Sequence, residues 1–541
     1  MKRTVWRTRK DEKERLRRKM RLAVALLTLI GVLTASAIYS FAGGIKILKT
    51  DMDGGVPAAN AAVGTPSNIV PDGFTLEEIT RGTEELENPS GVITKFGLLS
   101  TGVRTEPDEN TYLVLDHNPG GPDSHFDYGR HFLFQGHENA GDLAYATRIN
   151  LDVDPIADPE HRIALLTPVG GDGLTHFNRI DGSVWNPFTK KLMFAQEDSA
   201  NGGVFELSAD WPPNPRTLYG HMGRAAYEGI HPDNRGNIYL AEDTGGTSVS
   251  INPADSTANP KVARNPNSFI YRFVPNDPTD IMQGGKLQAL QVSIDGHPVV
   301  FVPVNGANPF GDVFSTNQLK LHTPGSSWPV TWVTIHTSAT GDTAGFDANA
   351  AAKAHDATPF KRPENLQFLP GSGFNTFFFT ATGDTDKQAG DVQALRDRGA
   401  YGALFRVDFP GGGDTGTISI FALGDQDHNS FDNITFVGNS ILLAAEDRGD
   451  TLHTQLNTLD SVWAYDVRKP GAEPERLLAL GRDATAVAAP KEDNEPTGIH
   501  HSDGAASVQS LIGIPVNPVQ ARLFFTQQHG DNIVYGILGK Q

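Results

Sequence analysis

The sequence predicts an all-β protein of β-propeller type with inserted loops, preceded by an N-terminal hydrophobic helix that exports or anchors the chain. Three observations predict it. The body is made of short apolar runs rich in β-branched and aromatic residues, each bounded by turn residues, with few long helical periods. One strand–carboxylate unit recurs along that body. A basic and then apolar segment stands at the N-terminus.

The recurring unit opens with an acidic residue followed by Gly or Asn. A short strand and a Gly- or Asn-containing turn follow, and a second apolar strand ends in an acidic residue, usually one of a pair. Asp181-Gly182 leads to Glu197-Asp198, and Glu228-Gly229 leads to Glu242-Asp243. Glu364-Asn365 leads to Gly383-Asp384, and Asp432-Asn433 to Glu446-Asp447. A degenerate last copy runs from Glu495 to Gln528-His529. The copies begin about 47 to 70 residues apart, except for one gap of 136 with room for a divergent blade around Val299-Val300-Phe301-Val302. Such periods are those of a propeller, whose blades are small antiparallel sheets around a channel. In that architecture Glu228, Glu364 and Asp432 converge at one axial opening. Carboxylates so close repel one another and call for cations, and oxygen ligands suit Ca²⁺ or Mg²⁺. Each acidic pair taken singly reads equally well as a turn at a strand end. Recurrence of one acidic position is what a β-sandwich, the competing fold, does not explain.

Composition sets limits on function. None of the 541 residues is cysteine, which excludes disulfides, thiolate ligands and a Cys nucleophile. The formal charge is −19. Residues 1–21 carry eleven Lys or Arg against three Asp or Glu, a net +8, which leaves −27 on the rest. A body so acidic repels a phosphate backbone, so no nucleic-acid partner is expected, and it suits a cation-binding surface.

From Leu22 to Ala42 no residue is charged, and Arg15, Arg17, Arg18, Lys19 and Arg21 stand just before. Basic flank, apolar run and small residues follow the order of a secretory signal, and the run is also long enough to span a bilayer. Either way the body is expected to be exported: periplasmic, extracellular, or anchored and facing outward. The expected division is residues 1–45 as signal or anchor, 46–90 as a Gly/Ala/Pro-rich linker, and 91–541 as the propeller.

Several motifs of the body resemble the PhoX-type alkaline phosphatase family. Phe132-Leu133-Phe134-Gln135-Gly136-His137-Glu138-Asn139 is similar to the family's early strand ending in Asn-His-Glu, with Gly136 where Asn is usual. Asp181-Gly182-Ser183-Val184-Trp185-Asn186-Pro187, ending in Glu197-Asp198, resembles a stretch that ends in Glu-Glu. Gly223-Arg224-Ala225-Ala226-Tyr227-Glu228-Gly229, leading to Glu242-Asp243, resembles Gly-Arg-Phe-x-His-Glu-Gly followed by Glu-Asp. Ile270-Tyr271-Arg272-Phe273-Val274-Pro275 and Gln528-His529-Gly530-Asp531 are similar to two further family segments. The resemblance covers roughly residues 95–541. It implies a propeller with a calcium and iron cluster that hydrolyses phosphate monoesters. Part of that family's iron ligation is a cysteine, which this chain lacks, so the resemblance carries calcium further than iron.

Glu138, Glu197, Glu228 and Glu364 are the metal ligands the resemblance implies, and the repeat adds Asp432 and Glu446. Arg224 would clamp a phosphate by paired hydrogen bonds, and His529 or His137 would shuttle a proton or stabilise charge. Adjacent residues on a strand face opposite ways, so at most one imidazole of His500-His501 would reach a site. No P-loop, Rossmann fingerprint, Gly-x-Ser-x-Gly elbow or His-Glu-x-x-His occurs. Three functional classes fit: a phosphomonoesterase of PhoX type acting on a small phosphorylated substrate, a calcium-dependent lactonase-like hydrolase, and a non-catalytic calcium-binding propeller. A cation placed to hold phosphate favours the first. A monomer that touches membrane only through its N-terminal segment is expected.

Overall fold

Short strands separated by tight turns pair locally, and here they build four-stranded antiparallel units arranged around one axis. The computed structural model describes residues 68–254, 261–481, 495–513, 516–517 and 519–539. Blade 1 is Glu106–Val114, His131–Glu138, Tyr145–Asn150 and Ile163–Leu165. Blade 2 is Ile180–Asn186, Lys191–Gln196, Gly203–Leu207 and Arg216–Thr217. Blade 5 is Phe431–Val437, Ile441–Glu446, Ser461–Asp466 and Glu475–Ala479. Blade 6 combines Pro496–Ser502, Arg522–Gln527 and Ile533–Gly539 with Phe74–Thr80 from the other end of the body. These four are separate four-stranded sheets.

Two further four-stranded runs are joined into one ten-stranded sheet. Blade 3 is Tyr227–Pro232, Ile238–Glu242, Ile270–Pro275 and Gly285–Ile294. Blade 4 is Leu366–Phe368, Thr376–Ala381, Ala403–Asp408 and Thr415–Leu423. The strand Trp328–Ser338 pairs with the outer strands of both and bridges them. The first strand of each blade packs against the first strands of its two neighbours, so the ring closes. Apolar cores lie between adjacent blades. One runs through blades 1 to 3 around Phe134, Phe194 and Tyr271, and another joins blades 3 and 4 around Phe368, Phe377 and Phe405.

Two expectations are corrected. Residues 74–90 are not linker. Phe74–Thr80 pairs with Ile533–Gly539 and closes blade 6, and Glu85–Ser90 pairs with Ile93–Lys95. Their partner strands lie nearby or at the far end of the chain, and composition alone does not reveal pairing. Nor does the long gap hide a blade at Val299-Val300-Phe301-Val302. Apart from His297–Pro298, which pairs with blade 3's outer strand, the segment before Thr316 has no strand. The gap is filled by an insertion, by the helices Thr316–Leu321 and Ala348–Ala354, and by the bridging strand. The proposed export segment, Leu22 to Ala42, lies outside the described residues. Among the described residues no helix is long and apolar enough to cross a membrane.

Candidate metal centre

The first strand of five blades carries the same irregularity. Pairing with the second strand shifts register across Asp108-Glu109, Asp181-Gly182, Glu228-Gly229, Asp432-Asn433 and Gly498-Ile499. A bulge leaves its extra residue unpaired and re-aims a side chain, and in blades 1, 2, 3 and 5 the bulged acids Asp108, Asp181, Glu228 and Asp432 line the axial cavity. At two of these bulges the glycine after the acid is equally required. A Cβ at Gly182 would meet Glu228 O at 1.9 Å, and one at Gly229 would meet Glu364 O at 2.8 Å. The acid–Gly signature of the sequence is thus a bulge whose second position touches the next blade's backbone.

A second ring forms at the ends of the second strands. His137, Gln196, Glu242 and Glu446 pair with the residue just before the bulge of blades 1, 2, 3 and 5 and are therefore equivalent. The residue after each of them, Glu138, Glu197, Asp243 and Asp447, lines the axial cavity, and so does Gln528 of blade 6. That cavity is about 400 Å³. Asp108, Asp181, Glu228, Glu364 and Asp432 form its inner ring, and Glu106 and Glu495 stand at its rim.

Three triplets of carboxylates bring their ligand atoms within 4.8 Å of one another: Asp108–Glu138–Asp181, Asp181–Glu197–Glu228 and Glu228–Glu364–Asp432. Asp181 and Glu228 each belong to two triplets, so the three sites adjoin. Burial first, then the crowding of like charges, pushes Glu138, Asp181, Glu197, Glu228 and Asp432 well above the ordinary carboxylate range. Burial likewise takes Glu364 up to about 8 and Asp108 up to about 6. Asp108 is drawn back by hydrogen bonds from Thr497 Oγ1 and Gln528 Nε2, both at 2.6 Å.

Three arginines share the cavity. Arg362 Nε donates to Asp243 Oδ2 at 2.8 Å, and its Nη2 lies 3.3 Å from Glu364 and 3.8 Å from Asp447. Arg179 Nη1 is 3.8 Å from Glu138 and 4.0 Å from Glu197. Arg264 lines the rim. His529 also lines the cavity, 3.8 Å from Glu106 and 3.9 Å from Glu495. Below the inner ring Glu109 lies across the axis. It accepts from Ser183 N at 2.8 Å and from Asn365 Nδ2, and burial raises its carboxyl to about 8. It separates the acidic cavity from an internal space of about 30 Å³ lined by Thr111, Trp185, His231 and His500.

Of the residues expected at the site, Glu138, Glu197, Glu228, Glu364, Asp432 and His529 meet in this cavity. Three do not. Glu446 is buried away from it, accepting from both Arg448 Nη2 and the backbone N–H groups of Asn429 and Ser461. His137 is fully buried between Tyr145 and Phe96, its Nε2 2.9 Å from Thr147 Oγ1, and burial holds it neutral. Arg224 donates to Asn201 O at 2.7 Å and stacks on Tyr219 at 3.9 Å. Its neighbours occupy the guanidinium fork that a phosphate would need. Of the two adjacent histidines, His500 faces the internal space, and His501 stands 3.1 Å from Phe436 O; burial lowers them to about 3 and about 4. Sequence reasoning did not assign Asp108, Asp181, Asp243, Asp447, Arg179 and Arg362 to the site. For Asp243 and Asp447 the signal was present, since each is the second member of an acidic pair.

An all-oxygen donor set of this kind fits calcium, which takes six to eight oxygens in flexible geometry. A thiolate-held iron has no ligand among these residues, because the chain has no cysteine.

The family described as alkaline phosphatase PhoX matches residues 167–465, more than half of the chain. No curated protein matches the sequence. Among solved structures the chain is similar to Pseudomonas fluorescens PhoX in complex with vanadate, a transition state analogue. The TM-score is 0.51 at 13% identity, over 90% of this chain and 98% of that one. It is also similar to a calcium structure of Trichoderma reesei carbohydrate-active enzymes family AA12, with TM-score 0.29 and 12% identity over 89% of this chain and 99% of that one. At 13% identity the likeness to the first is one of fold. The family match, together with the motifs around Glu138, Glu197, Glu228 and Gln528, identifies the chain as a member of the PhoX alkaline phosphatase family.

Proposed function

We propose that this chain is an exported phosphomonoesterase whose axial carboxylates hold divalent cations, calcium first among them. The observation that carries the reading is the run of three adjoining carboxylate triplets at one end of the axis. Asp108, Glu138, Asp181, Glu197, Glu228, Glu364 and Asp432 would hold the cations, with Asp181 and Glu228 shared between neighbouring sites. Bound divalent cations neutralise phosphoryl oxygens and polarise phosphorus.

The chain's own residues do the rest. Arg179 is in ion-pair range of its carboxylates without a hydrogen bond to them, so its N–H groups are open to phosphate oxygens. Arg362 is committed to Asp243 and fixes the carboxylates around it. His529 stands between two rim carboxylates and offers a proton to the leaving-group oxygen. Glu109 and Asn365 close the floor and keep the reaction from the space beneath.

The test is metal analysis of the purified body, with hydrolysis of para-nitrophenyl phosphate measured after chelation and after calcium is restored. Calcium-dependent turnover is expected. Protein replete in calcium that hydrolyses no phosphomonoester would leave a calcium-binding propeller without this activity.

A further inference from the structure

The rim of the axial cavity is unequal. Residues 139–144, 197–202 and 528–532 connect the second and third strands of blades 1, 2 and 6 directly. Blades 3, 4 and 5 insert residues 243–269, 382–402 and 447–460 at the same end. Those insertions carry Ser248–Ser250 paired with Lys261–Arg264, and the helices Lys387–Asp391, Gln393–Arg396 and Gly449–Leu456. Val249, Ala263, Val313, Ala389, Leu395 and Ala400 bury one another in a small core that belongs only to inserted segments. Gln455 Nε2 donates to Asp386 Oδ1 at 3.1 Å, tying the blade 5 insertion to that of blade 4. The inserted segments of blades 3, 4 and 5 therefore build a wall along their side of the rim.

Arg264 is where this wall meets the cavity. Its backbone N–H donates to Asp384 Oδ1 at 2.8 Å. The Asp384 carboxylate is fully buried and accepts from Lys361 Nζ at 2.8 and 3.0 Å. The base of Arg264 is thus pinned by an ion pair from blade 4. Its guanidinium lies over Gly245, where a Cβ would stand 3.3 Å from Nη1. Arg264, Gly245 and Thr385 line the cavity side by side. Arg179 and Arg362 each have a carboxylate within 4.0 Å, whereas the Arg264 guanidinium, whose charge reaches the Asp384 carboxylate at longer range, has no carboxylate within 4.0 Å and no side-chain hydrogen bond among the described residues. In a cavity otherwise dominated by acids, Arg264 is a lining cation with no carboxylate in ion-pair range among the described residues.

We infer that Arg264 is a specificity-determining residue that binds a second anionic group on the leaving group, so the favoured substrates are phosphomonoesters whose alcohol carries a carboxylate or a further phosphate. The inference rests on the proposed phosphatase reading for its geometry. With the scissile phosphate held at the axial carboxylates, the leaving group points out of the cavity, and the wall is the surface it meets. A guanidinium there receives a carboxylate or phosphate through paired hydrogen bonds.

The experiment compares 3-phosphoglycerate with glycerol 3-phosphate, which differ by the leaving group's carboxylate, on the calcium-loaded full chain and on its R264Q and R264K variants. The native protein is expected to favour 3-phosphoglycerate in kcat/KM by roughly fivefold, the upper end of what an exposed ion pair contributes. R264Q brings the ratio near one, and R264K keeps part of it. General screening of the acidic cavity would shift both substrates together and leave the ratio unmoved, which overturns the inference. A second measurement, calorimetric binding of phosphonoacetate against methylphosphonate, reads the same contrast without turnover. If the affinity ratio collapses in R264Q while neither ester is hydrolysed, the subsite stands and the phosphatase reading falls. Equal affinities in the native protein overturn the subsite.

Discussion

Glu138 and Asp447 face the axial cavity; His137 and Glu446, one residue earlier in the same blades, face away from it. All four stand at the ends of second strands, next to one another in pairs. Side chains alternate along a strand, so a displacement of one residue carries a group from the axis into the space between sheets. The environments that result are opposites. Glu138 is crowded by Glu197 and Glu106, and Asp447 lies 3.8 Å from Arg362 in the same acidic cavity. Glu446 receives two backbone N–H groups and a guanidinium, and His137 two hydroxyls and two aromatic faces. Crowded carboxylates need a cation from outside, whereas paired ones already have a partner from the fold.

The sharpest way to break this comparison is Glu228→Gln. Glu228 belongs to two triplets, so its loss is expected to cost about 100-fold or more in kcat/KM and to reduce bound calcium. Unchanged calcium content would remove it from the site. Next come two neighbouring substitutions with opposite readouts. Glu446→Gln leaves Arg448 buried without its full counter-charge and is expected to lower unfolding free energy by about 3 kcal/mol, with calcium stoichiometry intact. Asp447→Asn is expected to weaken calcium binding about tenfold with little effect on the metal-free protein. Denaturant titration and calorimetric calcium binding separate the pair; if the two variants behave alike, the assignment of faces is wrong.

Proton linkage tests the inner ring as a whole. The folded protein holds Glu138, Asp181, Glu197, Glu228 and Asp432 protonated well above their ordinary range, and Glu364 up to about 8. Without metal the folded state therefore binds more protons than the unfolded one, and its stability falls as pH rises from about 5 towards about 9. The expected Tm in chelator declines across that window, and calcium raises Tm more at about pH 8.5 than at about pH 5.5. A flat profile in chelator would mean that these acids are not crowded. The smallest effect is expected at His137. Gln stands at the equivalent position 196, so His137→Gln is expected to cost about 1 kcal/mol of stability and to leave kcat/KM within about threefold.

The carboxylates were legible because a bulge writes itself into sequence as an acid followed by a small residue. Asp181-Gly182, Glu228-Gly229 and Asp432-Asn433 all show it. Asp108 was hidden because Glu109 occupies the small-residue position, where it spans the axis to Ser183 and Asn365. Glu446 and His137 were misassigned for want of phase: the acidic pair is visible in sequence, but which member faces inward depends on the strand's register. Arg179 and Arg362 were invisible for a different reason. Each reaches the cavity from a loop residue with left-handed backbone, φ +40° and +52°, at places where no periodic pattern points. Arg224 was misread because a motif likeness says nothing of the carbonyls and the tyrosine ring that hold it.

The pairing of Phe74–Thr80 with Ile533–Gly539 has a consequence in time. Contacts between residues so distant in sequence form late, because a long loop must close first. The ring of first strands closes through blade 6, which this pairing completes, so the axial sites are expected to reach their final spacing only when the last strand has docked. Cation capture is thereby made a report on completion: a chain stalled one strand short is expected to scatter its ligands and to remain unfilled.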